Sequence, residues 1–221
     1  MNRPRLLIFD WDGTLADSAA TIVNTMQVAI RDLSLPARSD ESIRDLIGLG
    51  MNDVLTRLYP ELDLESLKAL LHSYRARWLA EGTGEAPLFD GALSAMQALH
   101  VGDHRLAIAT GKSRRGLDRS LEHHVDLRRL VCDSRTADET ASKPDPLMLR
   151  ELLEVEGLQP GDALMIGDTE YDMAMARAIG MPAVGVVCGV HHPERLLQSG
   201  ACALLDGVAG LPGWLATLRQ G

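Results

Sequence analysis

Two aspartates separated by one residue stand where a short apolar run ends near the start of the chain. The run is RLLIF, residues 5–9, and the segment DWDGTL follows it with Asp10, Trp11 and Asp12. Gly13 allows a sharp turn directly afterwards, so both carboxylates and the intervening backbone N–H groups can face one small volume. A single loop aspartate is often only a helix cap or a solvated charge. The pair therefore gains meaning only from what the chain gathers around it.

Three later segments add side chains of suitable chemistry at the ends of apparent strands and helices. In IATGKS, Thr110 ends an apolar run and Ser113 can cap the next helix. A hydroxyl and free backbone N–H groups then meet at a helix N-terminus, which is a site for an anion. In SKPDP, a proline keeps the backbone of Lys143 extended. In GDTEYD, Asp168 and Asp172 are four residues apart and lie on neighbouring turns if a helix begins there.

Electrostatics indicate what must complete such a cluster. Two carboxylates about 4 Å apart repel by about 4 kcal/mol at an effective dielectric constant of about 20, so Asp10, Asp12 and Asp168 need a cation between them. Oxygen ligands without histidine or thiolate favour Mg²⁺, which also accepts an oxygen of a substrate phosphate. A cation, a lysine, a hydroxyl and helix-end N–H groups around a carboxylate nucleophile form a phosphoryl-transfer site.

The elements that must position these residues alternate between strand and helix patterns. Six short runs, apolar on both faces, are typical of parallel strands covered on both sides. They are RLLIF (5–9), RLAIAT (105–110), LVC (130–132), ALMIG (163–167), PAVGVV (182–187) and ACALL (201–205). We therefore predict a doubly wound, mainly parallel α/β sheet, with a ligand site beyond the carboxyl ends of its strands. Asp10, Thr110 and Asp168 all stand at such ends.

Residues 17–84 interrupt this alternation, because they carry helical patterns with no strand between them. We expect an all-helical cap over 17–84 and a discontinuous α/β core made of 1–16 and 85–221. A few extra helices packed on the sheet are the plainer alternative.

The sequence predicts a hinge at each end of this insert. The segment EGTGEAP contains two glycines and a proline, which favours a flexible connection. We expect hinges at residues 15–18 and 81–87 and a cap that opens and closes over the strand ends. Arg44 and the GLG segment at 48–50 could reach the site from the cap, although a solvated face explains Arg44 equally well. From the core, His191 or His192 could touch a substrate.

Composition limits the class of protein, its partners and its location. The 221 residues are 46% hydrophobic and 24% charged, as in an ordinary globular protein. A net charge of −9, without a basic stripe, argues against nucleic acid as a partner. No apolar run is long enough to span a bilayer, and the first residues do not resemble a signal peptide, so we expect no membrane partner and a cytoplasmic location.

Cys132, Cys188 and Cys202 have no close pairing, which predicts reduced thiols in or near the core.

The four segments together resemble the motifs of one known family. DWDGTL, TGK, KPDP and GDTEYD stand in the order found in the haloacid dehalogenase-like superfamily of aspartate-nucleophile phosphatases. The resemblance covers essentially the whole chain, including the position of a helical cap. IFDWDGTLADS, LIGLG and GDTEYDMAMARAIGM are most similar to the phosphoglycolate phosphatase-like members. The resemblance implies a Mg²⁺-dependent phosphatase that hydrolyses a small, phosphoglycolate-like phosphomonoester through an aspartyl-phosphate.

The resemblance also implies roles for the motif residues. Asp10 would be the nucleophile, and Asp12 the general acid for the leaving group and then the base for water. The carboxylates of Asp10 and Asp168, with the backbone carbonyl of Asp12, would bind Mg²⁺, and Asp172 would be a second-shell or outer ligand. Thr110 and Lys143 would be catalytic as well. The phosphate-binding set would be Trp11, Asp12, Thr110, Gly111 and Lys143.

Alternatives remain within and outside this fold. A sugar-phosphate mutase or a pyrophosphatase would share every core residue and differ in the cap. A 2-haloacid dehalogenase is disfavoured, because it attacks carbon and needs no acid at Asp12. A phosphate-accepting signalling receiver is disfavoured because it lacks the insert. The expected partner is a small phosphorylated metabolite, and the protein is expected to be a monomer or a homodimer.

Overall fold

The computed structural model describes residues 3–78, 80 and 85–218. Within these residues, one parallel sheet is formed by β1 (Leu6–Phe9), β2 (Arg105–Thr110), β3 (Val131–Thr136), β4 (Ala163–Gly167), β5 (Ala183–Val186) and β6 (Ala203–Leu205). Their spatial order is β3-β2-β1-β4-β5-β6. The order reverses beside β1, and a ligand crevice forms at the carboxyl ends of the strands at such a point. The predicted doubly wound α/β sheet is confirmed.

The helices follow the alternation that the sequence pattern indicated. They are α1 (Ala19–Asp32), α2 (Asp40–Arg44), α3 (Met51–Leu58), α4 (Leu64–Trp78), α5 (Ala92–Val101), α6 (Arg114–His123), α7 (Val125–Arg128), α8 (Leu147–Glu156), α9 (Glu170–Arg177), α10 (Pro193–Ser199) and α11 (Leu211–Thr217). Short 3₁₀ turns occupy Pro160–Asp162 and Val208–Gly210. In the part of the chain that the structure describes, no helix has both the length and the apolar character to cross a membrane.

Strand β1 is the centre of two apolar layers. Its side chains alternate between the faces of the sheet. Leu7 and Phe9 pack into a cluster with residues of α5, α6 and α11. Leu6 and Ile8 pack into a second cluster with residues of α8, α9 and α10. This double cover holds the carboxyl end of β1, where Asp10 follows, in a rigid position.

Helices α1 to α4 form a third apolar cluster, and no strand lies between them in the described residues. The cluster includes Tyr171, so helices α1 to α4 also pack against α9. Its two connections lie side by side, since the N–H of Asp17 donates to the Pro87 carbonyl and that of Phe89 to the Leu15 carbonyl. The boundaries of a cap at 17–84 and a core at 1–16 and 85–221 stay a proposal. Of the expected hinge at 81–87, residues 81–84 lie outside the described residues.

Two element boundaries differ from the prediction for physical reasons. The strand predicted at 130–132 is longer in the structure, where β3 runs from Val131 to Thr136. The additional residues were not predicted as strand, because β3 is at the edge of the sheet and its later side chains are polar and partly solvated. Arg135 pairs there with Asp133 and Glu151 across 2.8 and 2.7 Å, and an apolar pattern cannot mark such a strand. The segment DESIRDLIGL, residues 40–49, also has a helical pattern, but its helix ends at Arg44 and turns follow, because Gly48 has a φ of 101°, outside the helical range.

All three cysteines are free thiols within the described residues. The expectation that they lie in or near the core is wrong for two of them, because Cys132 and Cys202 are exposed. Cys132 lies on the edge strand β3, and Cys202 lies just before β6, which is the opposite edge of the sheet.

Candidate active site

Three carboxylates and a lysine meet beyond the carboxyl ends of β1 and β4. Asp10 follows β1, Asp168 follows β4, Asp172 lies in the first turn of α9, and Lys143 precedes α8. One carboxylate oxygen from each aspartate lies within 4.8 Å of the other two. The Nζ of Lys143 is 2.8 Å from Oδ1 of Asp10 and 2.7 Å from Oδ1 of Asp172, and all four side chains are buried. The structure thus brings these four predicted site residues together.

This cluster has fewer positive than negative groups. Burial raises the pKa of Asp10 well above its ordinary value, even though Lys143 opposes the shift. Burial, with the nearby carboxylate of Asp172, raises the pKa of Asp168 to about 7. Burial alone would lower the pKa of Lys143, but the carboxylates of Asp10 and Asp172 hold it above its ordinary value. One lysine cannot balance three carboxylates, and among the described residues Oδ2 of Asp10 has no hydrogen-bond partner. An all-oxygen, electron-rich set of this kind fits a hard divalent cation such as Mg²⁺.

The turn after β1 gives the cluster its close packing. Gly13 has a φ of 82°, and a Cβ there would lie 2.3 Å from Oδ2 of Asp168, so only glycine fits. Thr14 Oγ1 donates to Oδ1 of Asp168 across 2.8 Å, and the N–H of Val190 donates to Oδ2 across 2.9 Å. These two donors orient the Asp168 carboxylate. Sequence reasoning missed both of them; Thr14 lies within the DWDGTL motif, whereas no pattern marked Val190.

Asp172 is held mainly by the protein itself. It forms a capping box with Thr169, whose N–H and Oγ1 donate to Oδ2 of Asp172 across 3.1 and 2.6 Å. The other carboxylate oxygen faces Lys143. Thr169 and Lys143 thus orient the Asp172 carboxylate, and its role as an outer ligand of a metal stays a prediction.

The side chain of Asp12 contacts a different set of partners from Asp10. Ser18 Oγ donates to its Oδ1 across 2.6 Å, and the Nζ of Lys112 lies 3.1 Å from the same oxygen. The Lys112 ammonium also lies 4.5 Å from the centroid of the Trp78 ring, which stacks on Tyr74. Sequence reasoning missed Ser18 and Lys112. Lys112 is the last residue of the TGK motif, but its contact with Asp12 depends on two distant loops.

Two further predicted phosphate-binding residues, Thr110 and Gly111, lie at the carboxyl end of β2, the strand that pairs with β1. Thr110 is buried at the end of β2, and its Oγ1 accepts a hydrogen bond from the N–H of Lys112 across 3.2 Å. Ser113 caps α6 as predicted. A Cβ on Gly111 would lie 2.5 Å from the Gly48 carbonyl oxygen, so the GLG segment packs directly on this loop. The roles of these residues in binding phosphate stay predictions.

Trp11 uses its backbone and its side chain differently. Its N–H donates to Oδ1 of Asp10 across 2.7 Å, which fixes the carboxylate that is predicted to attack. Its ring is buried in the apolar layer on one face of the sheet, 5.9 Å from the ring of His124. Trp11 therefore supports Asp10 in this structure, and a direct contact between its N–H and phosphate stays a prediction.

Of the three further side chains expected near a substrate, His191, His192 and Arg44, one is buried and two are exposed. His191 is buried between the helical segment and the core: its Nε2 lies 3.1 Å from the Asp45 carbonyl, and its Nδ1 accepts from the N–H of Glu170. Burial lowers its pKa. His192 and Arg44 are exposed. Nε2 of His191 thus contacts the turn after α2, whereas Nδ1 is used by the first residue of α9.

Comparisons with known proteins agree with this arrangement. The family model for haloacid dehalogenase-like hydrolases matches residues 7–186. A phosphoglycolate phosphatase of Rhodospirillum rubrum is 29% identical over 227 residues, which is 99% of this chain and 93% of the relative. A plasmid-encoded phosphoglycolate phosphatase of Cupriavidus necator is 30% identical over 229 residues, which is 96% of this chain and 94% of the relative.

The fold has close counterparts among solved structures. One from Haemophilus somnus, described as a predicted phosphoglycolate phosphatase, has a TM-score of 0.86 at 23% identity and covers 97% of this chain and 99% of that one. At this identity the comparison shows the fold alone. The resemblance of the four motifs to this superfamily is confirmed by the family model, and the resemblance to its phosphoglycolate phosphatase-like members is confirmed by the sequence relatives. The chain belongs to the haloacid dehalogenase-like hydrolases.

Proposed function

We propose that this protein is a Mg²⁺-dependent phosphatase that hydrolyses a small phosphomonoester through an aspartyl-phosphate on Asp10. One observation carries the proposal. Oδ1 of Asp10 is held by the N–H of Trp11 and by Lys143, whereas the buried Oδ2 has no hydrogen-bond partner within the described residues. A carboxylate fixed by one oxygen and free at the other is suited to approach a phosphorus atom.

The proposed reaction has two steps. In the first, a carboxylate oxygen of Asp10 bonds to phosphorus and the ester oxygen leaves, taking a proton from Asp12. In the second, Asp12 accepts a proton from water as that water attacks phosphorus, and the bond between Asp10 and phosphate breaks. Ser18 and Lys112 hold the Asp12 carboxylate in place for both proton transfers.

Charge on the phosphate needs balancing throughout. Lys143, Thr110 and the N–H of Gly111 would bind its oxygens. Mg²⁺ would be held by the carboxylates of Asp10 and Asp168 and by the backbone carbonyl of Asp12, and it would supply positive charge for the phosphate. The geometry supports this, because three buried carboxylates face the single ammonium of Lys143, and burial raises the pKa values of Asp10 and Asp168 in the same cluster.

We also propose that residues 17–84 act as a cap on the core of 1–16 and 85–221. The N–H of Gly50 donates to Ser142 Oγ across 2.8 Å, beside Lys143, so the GLG segment closes one side of the site. Closure would exclude water during attack by Asp10, and opening would admit water or release product. The hinges of this proposal are residues 15–18 and 81–87, of which the structure describes 85–87 in the second.

The relatives named phosphoglycolate phosphatase support a small phosphorylated metabolite as the substrate. The mutase and pyrophosphatase alternatives share the same cluster, so the products distinguish them. The signalling receiver is contradicted by the match to a hydrolase family over 7–186. A cytoplasmic location and a monomeric or homodimeric state stay expectations.

Phosphate release tests the proposal. The purified protein should release inorganic phosphate from p-nitrophenyl phosphate over many turnovers when Mg²⁺ is present. Asp10→Asn should abolish release, whereas Asp126→Asn, at an exposed surface aspartate, should leave it unchanged. If neither nitrophenyl phosphate nor any small phosphomonoester yields phosphate, the proposed function is wrong. Conversion of a sugar phosphate to its isomer without phosphate release would instead support a mutase.

A further inference from the structure

A cavity of about 520 Å³ opens between the helical segment and the loop after β2. This volume lies in the range that buries a drug-sized ligand. Its wall is mainly apolar and comes from α1, α3, α4 and the turns after α2. Representative lining residues are Ile22, Met26, Ile47, Met51, Tyr74 and Trp78.

The cavity continues into the candidate active site. Asp12, Gly111 and Lys112 also line it. Asp12 is the residue proposed to protonate the leaving group, so an organic group attached to the ester oxygen would extend from Asp12 into this space. The side chain of Lys112 lies between Asp12 and the ring of Trp78, so it joins the polar end of the cavity to the apolar wall.

The lining gives little support to a second carboxylate on the substrate. Lys112 is paired with Asp12, and the cationic residues Arg75 and Arg115 are exposed to water. Within the described residues, therefore, Lys112 is the one largely buried cation that lines the cavity, and it already contacts Asp12. A carboxylate placed against the apolar wall would lose hydration without a charged partner, which is unfavourable, whereas an apolar group would gain by leaving water.

On the basis of the proposed function, we propose that the preferred substrate is a phosphomonoester with an apolar leaving group, of the size of a medium-length alkyl chain or an aromatic ring. The apolar group packs in the cavity against α1, α3 and α4 while the phosphate lies at Asp10. This assigns a substrate class that differs from the two-carbon phosphoacid in the names of the relatives.

A series of unbranched alkyl phosphates from ethyl to hexyl tests this substrate class, because these leaving groups differ little in basicity and therefore in intrinsic reactivity. Burial of each added methylene should raise kcat/KM by about fourfold until the cavity is filled. Hexyl phosphate should also surpass 2-phosphoglycolate. A flat or falling series, or 2-phosphoglycolate as the better substrate, would overturn the assignment.

A matched pair of variants locates the effect. Ile22→Ser places a hydroxyl in the cavity wall and should reduce the dependence on chain length, with hexyl phosphate losing much more than ethyl phosphate. Leu64→Ser makes a similar change on an exposed position of α4 and should leave the series unchanged. Equal losses for both esters in Ile22→Ser would indicate a structural defect and count against the cavity.

The two proposals fail in different ways. If the enzyme turns over every ester at rates that do not depend on chain length, the substrate class is wrong and the phosphatase function stands. If it hydrolyses no ester in the series and no nitrophenyl phosphate, the proposed function fails and the substrate class fails with it.

Discussion

The ammonium of Lys143 lies 2.8 Å from Oδ1 of Asp10, and neither side chain has any exposed surface. The same ammonium lies 2.7 Å from Asp172, so one buried cation serves two buried carboxylates, with Asp168 close by. A buried ion pair adds little net stability, but removal of one partner leaves an uncompensated charge. Lys143 is therefore needed both by the fold and by the proposed reaction.

Lys143→Met should be strongly destabilised and nearly inactive. We expect the free energy of unfolding to fall by about 3–5 kcal/mol, because the Asp10 and Asp172 carboxylates would lose their cation. We expect kcat/KM to fall by at least about 10²-fold, because charge on the phosphate would be less well balanced. Denaturant unfolding and steady-state kinetics measure the two effects. Lys68→Met, at an exposed ion pair, should change neither quantity, and wild-type values in Lys143→Met would contradict the role assigned here.

Turnover should require Mg²⁺. Exhaustive chelation should stop phosphate release, Mg²⁺ should restore it, and Ca²⁺ should inhibit, because Ca²⁺ takes more ligands at longer distances and would misalign Asp10 and the phosphate. Thermal unfolding gives an independent readout: Mg²⁺ should raise Tm of the wild type but not of Asp168→Asn. Asp126→Asn serves as the surface control. Full turnover after chelation would be incompatible with a metal requirement.

Lys112→Met tests the contact between Lys112 and Asp12. The variant keeps most of the side chain but removes the ammonium that lies 3.1 Å from Asp12, so the proton donor should be less well held. We expect kcat/KM for an alkyl phosphate to fall about tenfold, the size expected for a hydrogen bond to a charged group. The loss for a nitrophenyl phosphate should be smaller, because its leaving group needs less protonation. Equal losses for both esters would show that Lys112 acts only on folding or phosphate binding.

The proposed cap of residues 17–84 should close when the site is occupied. Arg195 joins the Asp45 carboxylate of the helical segment to Glu170 of the core, and Tyr171 donates to the Asp45 carbonyl across 2.9 Å. We expect vanadate with Mg²⁺ to slow hydrogen exchange of backbone amides in 45–52 and in the described hinge residues 15–18 and 85–87. Arg195→Gln should speed exchange in 45–52 without vanadate, whereas Arg129→Gln, at an exposed pair in the core, should not. Exchange that vanadate leaves unchanged would argue for a fixed cap.

The sequence could predict the cluster because its residues stand at the ends of strongly apolar strands. Asp10 and Asp168 follow β1 and β4, and parallel pairing of neighbouring strands brings such ends to one edge. The contacts of Lys112 and Val190 could not be predicted, because they depend on how distant loops approach each other. The length of β3 was missed for a different reason: its partly solvated edge position has no apolar pattern. The apolar character of the cavity likewise became visible only when α1, α3 and α4 were seen together.

Asparagine variants of Asp10 and Asp12 should lose activity in different ways. Asp12→Asn keeps the backbone carbonyl but loses proton transfer, which contributes about 10²- to 10⁴-fold. Single-turnover rates should therefore fall steeply for an alkyl phosphate and much less for a nitrophenyl phosphate. Asp10→Asn should be inactive with both, because it lacks the attacking charge. If the two variants showed the same dependence on the leaving group, the assignment of acid and nucleophile would be wrong.

Trapping of the covalent intermediate tests the central claim most directly. Rapid acid quenching of Asp12→Asn with nitrophenyl phosphate labelled at phosphorus should yield a nearly stoichiometric phosphoenzyme, because the first step proceeds with a good leaving group while water lacks its base. The label should be stable in acid, released by hydroxylamine and carried by the peptide that contains Asp10. Asp10→Asn should acquire no label. An Asp10→Asn enzyme that still forms an acid-stable, hydroxylamine-sensitive phosphoenzyme would contradict the account.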